Sequence, residues 1–206
     1  ERAEELLDND IEPAVFSYRD AEMFSRKAVE TGHEVKIHIA ADTGMCRIGY
    51  VPSPEAIEEV KKIAALPGIT MQGIFTHFSE ADIADKEWAH EQHSRFSAFI
   101  DALKAAGVTF NIHHCCNSAG TLELPDFHRE MIRPGIIQYG YDASKEVLVA
   151  GTKIKPVMSL RCCITHLKTI YEGDCVGYGR HFTAKGPTKI ATLPIGYADG
   201  YNRALS

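Results

Sequence analysis

The sequence predicts an α/β fold: part of a (β/α)8 TIM-type barrel over residues 1–147, followed by the start of a mostly β domain over residues 148–206. Short apolar runs alternate with helical patterns in the first part, which is typical of βα units on a parallel sheet. After about Ser144 the helical pattern stops, and Val, Ile, Thr and Cys become frequent. A complete barrel takes about 250 residues, so we expect its first strands to lie outside this chain.

The predicted strands of the first part are short runs of apolar residues bounded by helices or turns. They are Ala14–Ser17, Val35–Ala40, Ile69–Phe78, Thr109–His114 and Met131–Ile137. Strands separated by helices pair in parallel because each connection must cross back over the sheet. Their carboxyl ends therefore meet at one edge of the sheet, where the sites of such barrels lie.

Three helices are predicted between these strands. The first covers Asp20–Thr31, with Asp20 as its N-cap residue and a glycine after its end. The second begins at the cap Ser53, because a proline follows at the first helical position. The third covers Asp85–Ala106 and ends at a glycine. The second and third carry apolar residues broadly on one face, suited to packing on a sheet.

The second part carries strand signals of a different kind. Lys153–Ile170 is too long for one strand but is rich in β-forming residues, and Tyr171–Asp174 reads as a turn. Cys175–Tyr178 and Thr188–Pro194 are further predicted strands. Because no helical period separates them, we expect a mostly β domain here.

Composition excludes several classes of function. The net charge is −6 and no basic stripe is present, so we expect no nucleic-acid partner. No apolar run approaches 18 residues, so we expect no membrane span, and no signal peptide is visible. The six cysteines contain no C-x-x-C pair, and we expect no metal site. Reduced cysteines in a cytosolic protein are the simpler interpretation.

Polar residues gather at the carboxyl ends of the predicted strands of the first part. They are, in chain order, Asp42, Arg47, His77, Asn117, Ser118 and Arg133. Any one of them could simply mark the end of a strand. Successive βα units that all place such groups at the rim of a barrel indicate a polar pocket with anionic contents.

The segment around Gly135 allows two interpretations. Glycine could meet the needs of a turn after Pro134. Alternatively, the backbone N–H groups of Gly135 and Ile136 could hold a phosphate together with the Ser118 hydroxyl, because loops late in a barrel commonly bind phosphate.

Five motifs in a fixed order closely resemble those of the alanine racemase family. They are Asp42-Thr43-Gly44-Met45-Cys46-Arg47-Ile48-Gly49; Thr76-His77-Phe78 with Ala81-Asp82; Asn117-Ser118-Ala119; Met131-Ile132-Arg133-Pro134-Gly135-Ile136 with Tyr139-Gly140; and Pro194-Ile195-Gly196-Tyr197-Ala198-Asp199-Gly200-Tyr201-Asn202-Arg203. The resemblance extends from about Pro13 to the last residue. It implies a barrel that binds pyridoxal 5′-phosphate, a C-terminal β domain, and the interconversion of L- and D-alanine.

The resemblance also implies roles at the cofactor. Ser118, Gly135 and Ile136 match contacts of its phosphate. Arg133 matches the arginine that faces the pyridine nitrogen, with His77 behind it. Asn117 and His114 match nearby positions. An arginine cannot accept a proton, so the ring nitrogen would stay unprotonated and the cofactor would be a weaker electron sink, which suits a racemase.

Two further roles concern the substrate. Arg47 matches an arginine near the substrate carboxylate and a cofactor oxygen. Tyr197 matches a tyrosine base, and the resemblance implies that this tyrosine reaches the site of the partner subunit in a homodimer. A tyrosine in a β domain is usually a packing residue, but Asp199 and Gly200 indicate that Tyr197 lies on an exposed turn.

The sequence departs from the family pattern at two places. The family's second base, a lysine that forms the Schiff base, lies on a first strand that does not occur here, so we interpret the chain as an internal piece without that segment and without the C-terminal end. Many members also carry a carbamylated lysine where this chain has Ala40. Another group, such as a bound anion, would then have to orient Arg47.

Rival functions remain open at this point. The resemblance implies a cytoplasmic bacterial enzyme that supplies D-alanine for cell-wall synthesis. A serine or broad-specificity racemase would share the same motifs. A non-catalytic pyridoxal-phosphate-binding barrel would lack the β domain. A metal-dependent barrel hydrolase would need ligands at several strand ends, where only Asp42 and His77 qualify.

Overall fold

The computed structural model describes residues 3–144, 146, 154–202 and 204. It divides the chain into two compact units, of which the first ends at Val157 and the second begins at Met158. The boundary predicted between residues 147 and 148 lies outside the described residues, as do Lys153 and Arg203. Within the described part, no helix is both long and apolar enough to cross a membrane.

Four strands of the first unit form one parallel sheet in the order β1-β2-β3-β4. They are β1 (Ala14–Val15), β2 (Val35–Ala40), β3 (Ile69–Phe75) and β4 (Ile112–His114). The predicted parallel arrangement of these four strands is confirmed. Three of them are shorter than the runs that predicted them, although single backbone hydrogen bonds continue past the strand ends, as from Thr76 N to His114 O at 3.2 Å.

Five helices accompany this sheet. They are α1 (Ala3–Asp8), α2 (Tyr18–Thr31), α3 (Pro54–Ala64), α4 (Glu87–Ala105) and α5 (Ser118–Glu123). The sequence predicted the three longest helices, but the predicted N-cap of α2, Asp20, was wrong. Ser17 is the cap, since its Oγ accepts from the Asp20 N–H at 3.2 Å. Asp20 lies in the first turn instead, where its negative charge is favourable.

The core of the first unit lies between the sheet and these helices. Val60 and Ile63 of α3 are fully buried, and so are Phe96 and Leu103 of α4, with Phe99 nearly so. These residues belong to the apolar stripes that the sequence predicts for the two helices. Their burial holds both helices against the sheet through the hydrophobic effect.

Ser53 caps α3 as predicted, because its Oγ accepts from the Ala56 N–H at 3.2 Å. We expect Ser53→Ala to lower the free energy of unfolding by about 1 kcal/mol, since the Ala56 N–H loses its partner. Ser53→Asp retains an acceptor and should stay within about 0.5 kcal/mol of the parent. Urea denaturation compares the two variants, and an equal loss in both would contradict the capping role.

The prediction of a fifth strand over Met131–Ile137 was wrong. Residues 131–135 are irregular, and a 3-10 turn follows at Ile136–Tyr139. Arg133 N donates to Cys116 O at 2.9 Å, just beyond β4. Pro134 has no N–H with which to extend such pairing. The segment nevertheless passes the carboxyl edge of the sheet, where the other predicted site residues lie.

The described part of the second unit contains two antiparallel strand pairs and short 3-10 turns. β5 (His166–Ile170) pairs with β8 (Thr188–Thr192), and β6 (Cys175–Val176) pairs with β7 (Phe182–Thr183). The turn predicted at Tyr171–Asp174 is present, with Asp174 N donating to the Tyr171 carbonyl at 3.0 Å. The mostly β character of this part is therefore confirmed.

Candidate functional site

Arg133 lies in the irregular segment after β4 and directs its guanidinium among groups of β3 and β4. Its Nη1 donates to His114 Nδ1 at 2.5 Å, and its Nη2 donates to the Thr76 carbonyl at 2.8 Å. Its central carbon lies 5.3 Å from the centre of the Phe75 ring. A neutral imidazole, a carbonyl and an aromatic face thus surround this cation.

Two histidines continue the hydrogen bonding from Arg133 to Glu12, and we call this chain of four residues the relay. His114 Nε2 lies 2.8 Å from His38 Nδ1, and His38 Nε2 lies 2.7 Å from Glu12 Oε2. An arginine can only donate, so His114 Nδ1 accepts and His114 Nε2 carries the proton. His38 Nδ1 therefore accepts, and His38 Nε2 donates to Glu12. The guanidinium end thus fixes the direction of every bond.

Gly73 of β3 leaves the space that the His38 ring occupies. A Cβ built on Gly73 would lie 2.2 Å from His38 Nδ1, a distance at which no side chain could remain. The pairing of β2 with β3 also shifts register between Ile37 and His38. A glycine and a strand irregularity therefore both accompany the placement of this buried imidazole.

Burial and nearby positive charge lower the pKa values of His114 and His77, which favours the neutral forms of these two rings. Burial, the charge of Arg133 and the facing His38 lower the pKa of His114 to about 3. Burial and the charges of Arg133 and Arg47 also lower the pKa of His77, whose Nδ1 lies 3.5 Å from Arg133 Nη2. Neutral rings can accept hydrogen bonds from Arg133, whereas charged rings would repel it.

The lowered pKa of His114 predicts a loss of stability in acid. In the unfolded chain the imidazole takes up a proton below about pH 6.5, whereas in the folded protein it stays neutral down to about pH 3. Its contribution to stability is therefore complete above pH 6.5 and is lost as the pH falls. Between pH 7 and pH 4.5 this residue should lower the free energy of unfolding by about 2–3 kcal/mol.

His114→Gln is the matched control for this pH dependence. A glutamine amide can accept from Arg133 and donate to His38, but it does not titrate. Urea denaturation at the two pH values should therefore show a smaller loss of stability in the variant, by about the same 2–3 kcal/mol. An identical pH dependence in parent and variant would contradict the assignment.

A cavity of about 360 Å³ opens beside Arg133 in the first unit. Six of the nine predicted site residues contribute to its lining: His77, Asn117, Ser118, Arg133, Gly135 and Ile136. Ser118 Oγ accepts from Gly135 N at 2.8 Å, so two of the three groups predicted to hold a phosphate are in contact. A seventh predicted residue, His114, contacts Arg133 directly.

The Asn117 amide holds the local structure of this cavity. Its Oδ1 accepts from Gly120 N at 3.0 Å as the N-cap of α5, and its Nδ2 donates to the Phe78 carbonyl at 3.2 Å. These two bonds fix the start of α5, where Ser118 lies, against the loop after β3. The structure thus gives Asn117 a capping role beside its place in the cavity lining.

Arg47 is exposed on the loop that follows β2. Asp42 holds this loop, because its Oδ1 accepts from Gly44 N at 3.0 Å and from Cys46 N at 2.9 Å. The charge of Arg47 contributes to the lowered pKa values of His77 and Arg133. Arg47 therefore adds positive potential to the site.

Tyr197 belongs to the second unit and lies in the 3-10 turn Tyr197–Asp199. The turn is closed by Asp199, whose Oδ2 accepts from Gly196 N at 3.0 Å, and it ends at Gly200. The tyrosine side chain is 75% exposed. The exposed turn that the sequence predicts here is confirmed, and the role of Tyr197 stays a prediction.

Sequence reasoning missed His38 and Glu12. His38 carried a usable signal, because a polar residue between Ile37 and Ile39 in a buried strand needs a buried partner. Glu12 carried none, since it stands 26 residues before His38 in a segment without periodicity. Both join the site through contacts that only the folded sheet creates.

A cavity of about 590 Å³ between α3 and α4 has a mainly apolar lining and includes none of the nine predicted site residues. Across the residues that the structure describes, no three His, Cys, Asp or Glu side chains lie where they could hold a metal ion. The candidate site of the first unit is therefore the carboxyl edge of its sheet.

Comparisons with protein families cover both units. The model described as alanine racemase, N-terminal domain, matches residues 1–143, and the model described as alanine racemase, C-terminal domain, matches residues 157–206. The alanine racemase of Clostridium tetani is 44% identical over 98% of this chain and 52% of its own length. That of Clostridium novyi is 47% identical over 97% of this chain and 52% of its own length.

Solved structures show the same likeness. The alanine racemase of Clostridium difficile 630 has a TM-score of 0.90 at 36% identity, over 98% of this chain and 53% of that chain. A histidine racemase from Leuconostoc mesenteroides has a TM-score of 0.86 at 25% identity, over 98% of this chain and 54% of that chain. The chain thus spans about half the length of the relatives it matches.

Proposed function

Because the chain belongs to the alanine racemase family, we propose that the whole protein interconverts L- and D-alanine. The observation that carries this proposal is the cavity at the carboxyl edge of the sheet, around which six predicted site residues gather. The likeness to alanine racemases along nearly the whole chain supports it. Since the chain spans about half the length of these relatives, the proposal concerns the whole protein.

Pyridoxal 5′-phosphate fits the residues of this cavity. Its phosphate needs hydroxyl and N–H donors. The Ser118 hydroxyl and the N–H groups of Gly135 and Ile136 would supply them, with the Gly135 N–H turning to the phosphate from Ser118 Oγ, to which it donates at 2.8 Å here. Its pyridine nitrogen needs a donor, which Arg133 would supply. The volume of about 360 Å³ is of the size that small ligands occupy. When bound, the cofactor withdraws electrons from Cα of an amino acid and makes its hydrogen acidic.

Arg133 would set how strongly electrons are withdrawn. A guanidinium does not give up its proton, so a ring nitrogen facing it accepts a hydrogen bond and stays unprotonated. The relay through His114 and His38 holds the guanidinium in one orientation. Weaker withdrawal of electrons favours return of the proton to Cα over competing reactions, which is what racemisation requires.

Tyr197 and Arg47 would act on the substrate. Racemisation moves a proton between the two faces of Cα, so it needs a group on each face. We assign the Tyr197 hydroxyl to one face and a lysine outside this chain to the other, with Arg47 near the substrate carboxylate. In this proposal residues 1–147 hold the cofactor, and residues 148–206 begin the domain that presents the tyrosine.

The resemblance extends the proposal to assembly and location. We propose a homodimer in which the tyrosine of one subunit serves the site of the other. The place of Tyr197 on a turn that is 75% exposed at this side chain agrees with this arrangement. The protein would act in the bacterial cytoplasm and supply D-alanine for cell-wall synthesis.

A second candidate substrate is another amino acid, such as serine or histidine. The likeness to a histidine racemase favours keeping this alternative, because the same architecture accepts a different side chain there. A non-catalytic pyridoxal-phosphate-binding barrel agrees less well with the chain, since residues 157–206 match a C-terminal domain of racemases.

The test is conversion of L-alanine to D-alanine by the whole protein loaded with pyridoxal 5′-phosphate, followed by chiral chromatography. L-Serine and L-histidine are assayed beside it, and alanine should have the highest kcat/KM. A higher kcat/KM for serine or histidine would replace the proposed substrate. Cofactor binding without conversion of any amino acid would favour the non-catalytic alternative.

A further inference from the structure

Two loops of the candidate site rest on the same face of α4. Trp88 and Gln92 stand four residues apart near the start of this helix, so their side chains lie on one side, one turn apart. Both lie against Gly44 of the loop after β2, which carries Arg47, and both bond to the loop after β3, which begins near His77. Ala89 between them is buried in the core, and the larger apolar core residues of α4 follow from Phe96 onward.

Gln92 binds the loop after β3 through both ends of its amide. Its Oε1 accepts from the backbone N–H of Ser79 at 2.9 Å and from the Ser79 hydroxyl at 3.2 Å, and its Nε2 donates to the His77 carbonyl at 3.1 Å. The orientation of the amide is fixed, because the Ser79 N–H only donates and the His77 carbonyl only accepts. Gln92 is fully buried, so losing either bond would leave a backbone group without a partner.

Trp88 supports both loops. Its Nε1 donates to Ser79 Oγ at 2.9 Å. The carbons beside this nitrogen lie against Gly44, where an added Cβ would be 2.6 Å from Cζ2 of the ring. Gly44 also has a φ of 138°, which residues with a side chain rarely adopt. The backbone three residues before Arg47 therefore packs directly on the tryptophan ring.

The same end of α4 is tied to the helix that carries Ser118. Lys86, which precedes α4, pairs with Glu123 near the end of α5, and both side chains are largely buried. Its ammonium also donates to the carbonyls of Ala81 at 2.6 Å and Ile83 at 2.5 Å. A buried pair with satisfied donors holds one geometry, so the start of α4 has a fixed place beside the cavity.

We propose that Trp88 and Gln92 are positioning residues of the candidate site, which set where Arg47 and His77 lie by holding their loops on one face of α4. The effect of these two residues on catalysis rests on the proposed function, whereas their effect on the loops does not. A leucine at position 92 would fill the same volume and pack equally well. The fully bonded glutamine therefore serves placement of the loop rather than burial of apolar surface.

The position of His77 can be measured without any activity. In the whole protein without cofactor, NMR follows the titration of the His77 ring, identified by the signal that His77→Gln removes. Gln92→Leu should raise the pKa of His77 towards its ordinary value, because the ring moves away from burial and from the charges of Arg133 and Arg47 that lower it. Phe99→Leu, a core substitution further along α4, is the control and should leave this pKa unchanged.

The effect on catalysis is measured on the whole protein with pyridoxal 5′-phosphate and alanine. Gln92→Leu and Trp88→Ala should lower kcat/KM about 10–100-fold, mainly through KM, because displaced loops misplace the groups that bind substrate. Trp88→Phe keeps a ring against Gly44 and should restore much of the parent KM. Phe99→Leu should lower the unfolding temperature about as much as Gln92→Leu does, but it should leave KM near that of the parent.

The outcomes separate the two proposals. If Gln92→Leu changes neither the pKa of His77 nor KM more than Phe99→Leu does, Trp88 and Gln92 only stabilise the fold and the inference is wrong. If the unsubstituted protein racemises no amino acid, the proposed function fails. The titration of His77 then still decides whether Gln92 positions the loop.

Discussion

Replacing Tyr197 with phenylalanine in the whole protein is expected to slow racemisation of alanine about 10²–10⁴-fold, which is the usual contribution of a positioned general base. The rates in both directions must fall together, because the equilibrium between the enantiomers ties them. Tyr197 lies on an exposed turn and phenylalanine keeps the ring. The free energy of unfolding should therefore change by no more than about 1 kcal/mol.

The substitution should slow the two half-reactions to different extents. The family resemblance assigns Tyr197 to L-alanine, so Tyr197→Phe should lose exchange of the Cα hydrogen of L-alanine with deuterium under single-turnover conditions. Exchange from D-alanine, which the base on the opposite face serves, should largely survive. Mass spectrometry of each enantiomer after incubation in heavy water measures both rates. Tyr201→Phe is the matched control, four residues further on, and should retain both.

Two results would contradict this assignment. Equal loss of exchange from both enantiomers would indicate damaged cofactor binding rather than a missing base. Retained exchange in Tyr197→Phe together with loss in Tyr201→Phe would move the base to Tyr201.

The sheet and the long helices of the first unit could be predicted because their signals are local. Ser53 followed by proline marks the start of α3, and the spacing of Val60 and Ile63 marks its buried face. The prediction of a fifth strand was wrong for an equally local reason. The apolar residues of Met131–Ile137 suggested a strand, but Pro134 has no N–H with which to pair in a sheet. α1 and α5 have six residues each, which is too short for a helical period to show.

The candidate site could be predicted in part because parallel strands bring their carboxyl ends to one edge. That rule placed Ser118 and Arg133 near each other, and the structure brings them to one cavity. It could not find the relay, because His38 and His114 stand 76 residues apart and meet only when β2, β3 and β4 are paired. Their contact depends on the absence of a side chain at Gly73, and no sequence pattern predicts that this glycine faces His38.

Gly73→Ala is therefore expected to destabilise the protein strongly although it adds one methyl group. The new Cβ would lie 2.2 Å from His38 Nδ1, so the imidazole must move. That atom accepts from His114, and a buried N–H left without an acceptor costs about 1–3 kcal/mol. Overpacking adds about 1–3 kcal/mol, so the free energy of unfolding should fall by about 2–6 kcal/mol. Gly186→Ala, where a Cβ meets nothing within 4 Å, is the control and should be nearly neutral.

A double-mutant cycle tests whether the His38 ring is the group that the new Cβ displaces. In a His38→Ala background the space opposite residue 73 is empty, so Gly73→Ala should cost less than about 0.5 kcal/mol there, and the two substitutions should be strongly non-additive. Urea denaturation of the whole protein measures the four stabilities. The affinity for pyridoxal 5′-phosphate, followed by its absorbance, should weaken in Gly73→Ala because Arg133 loses the support of His114. Additive costs would show that the His38 ring is not what the new Cβ displaces, and an unchanged affinity would show that the relay does not hold Arg133 in place.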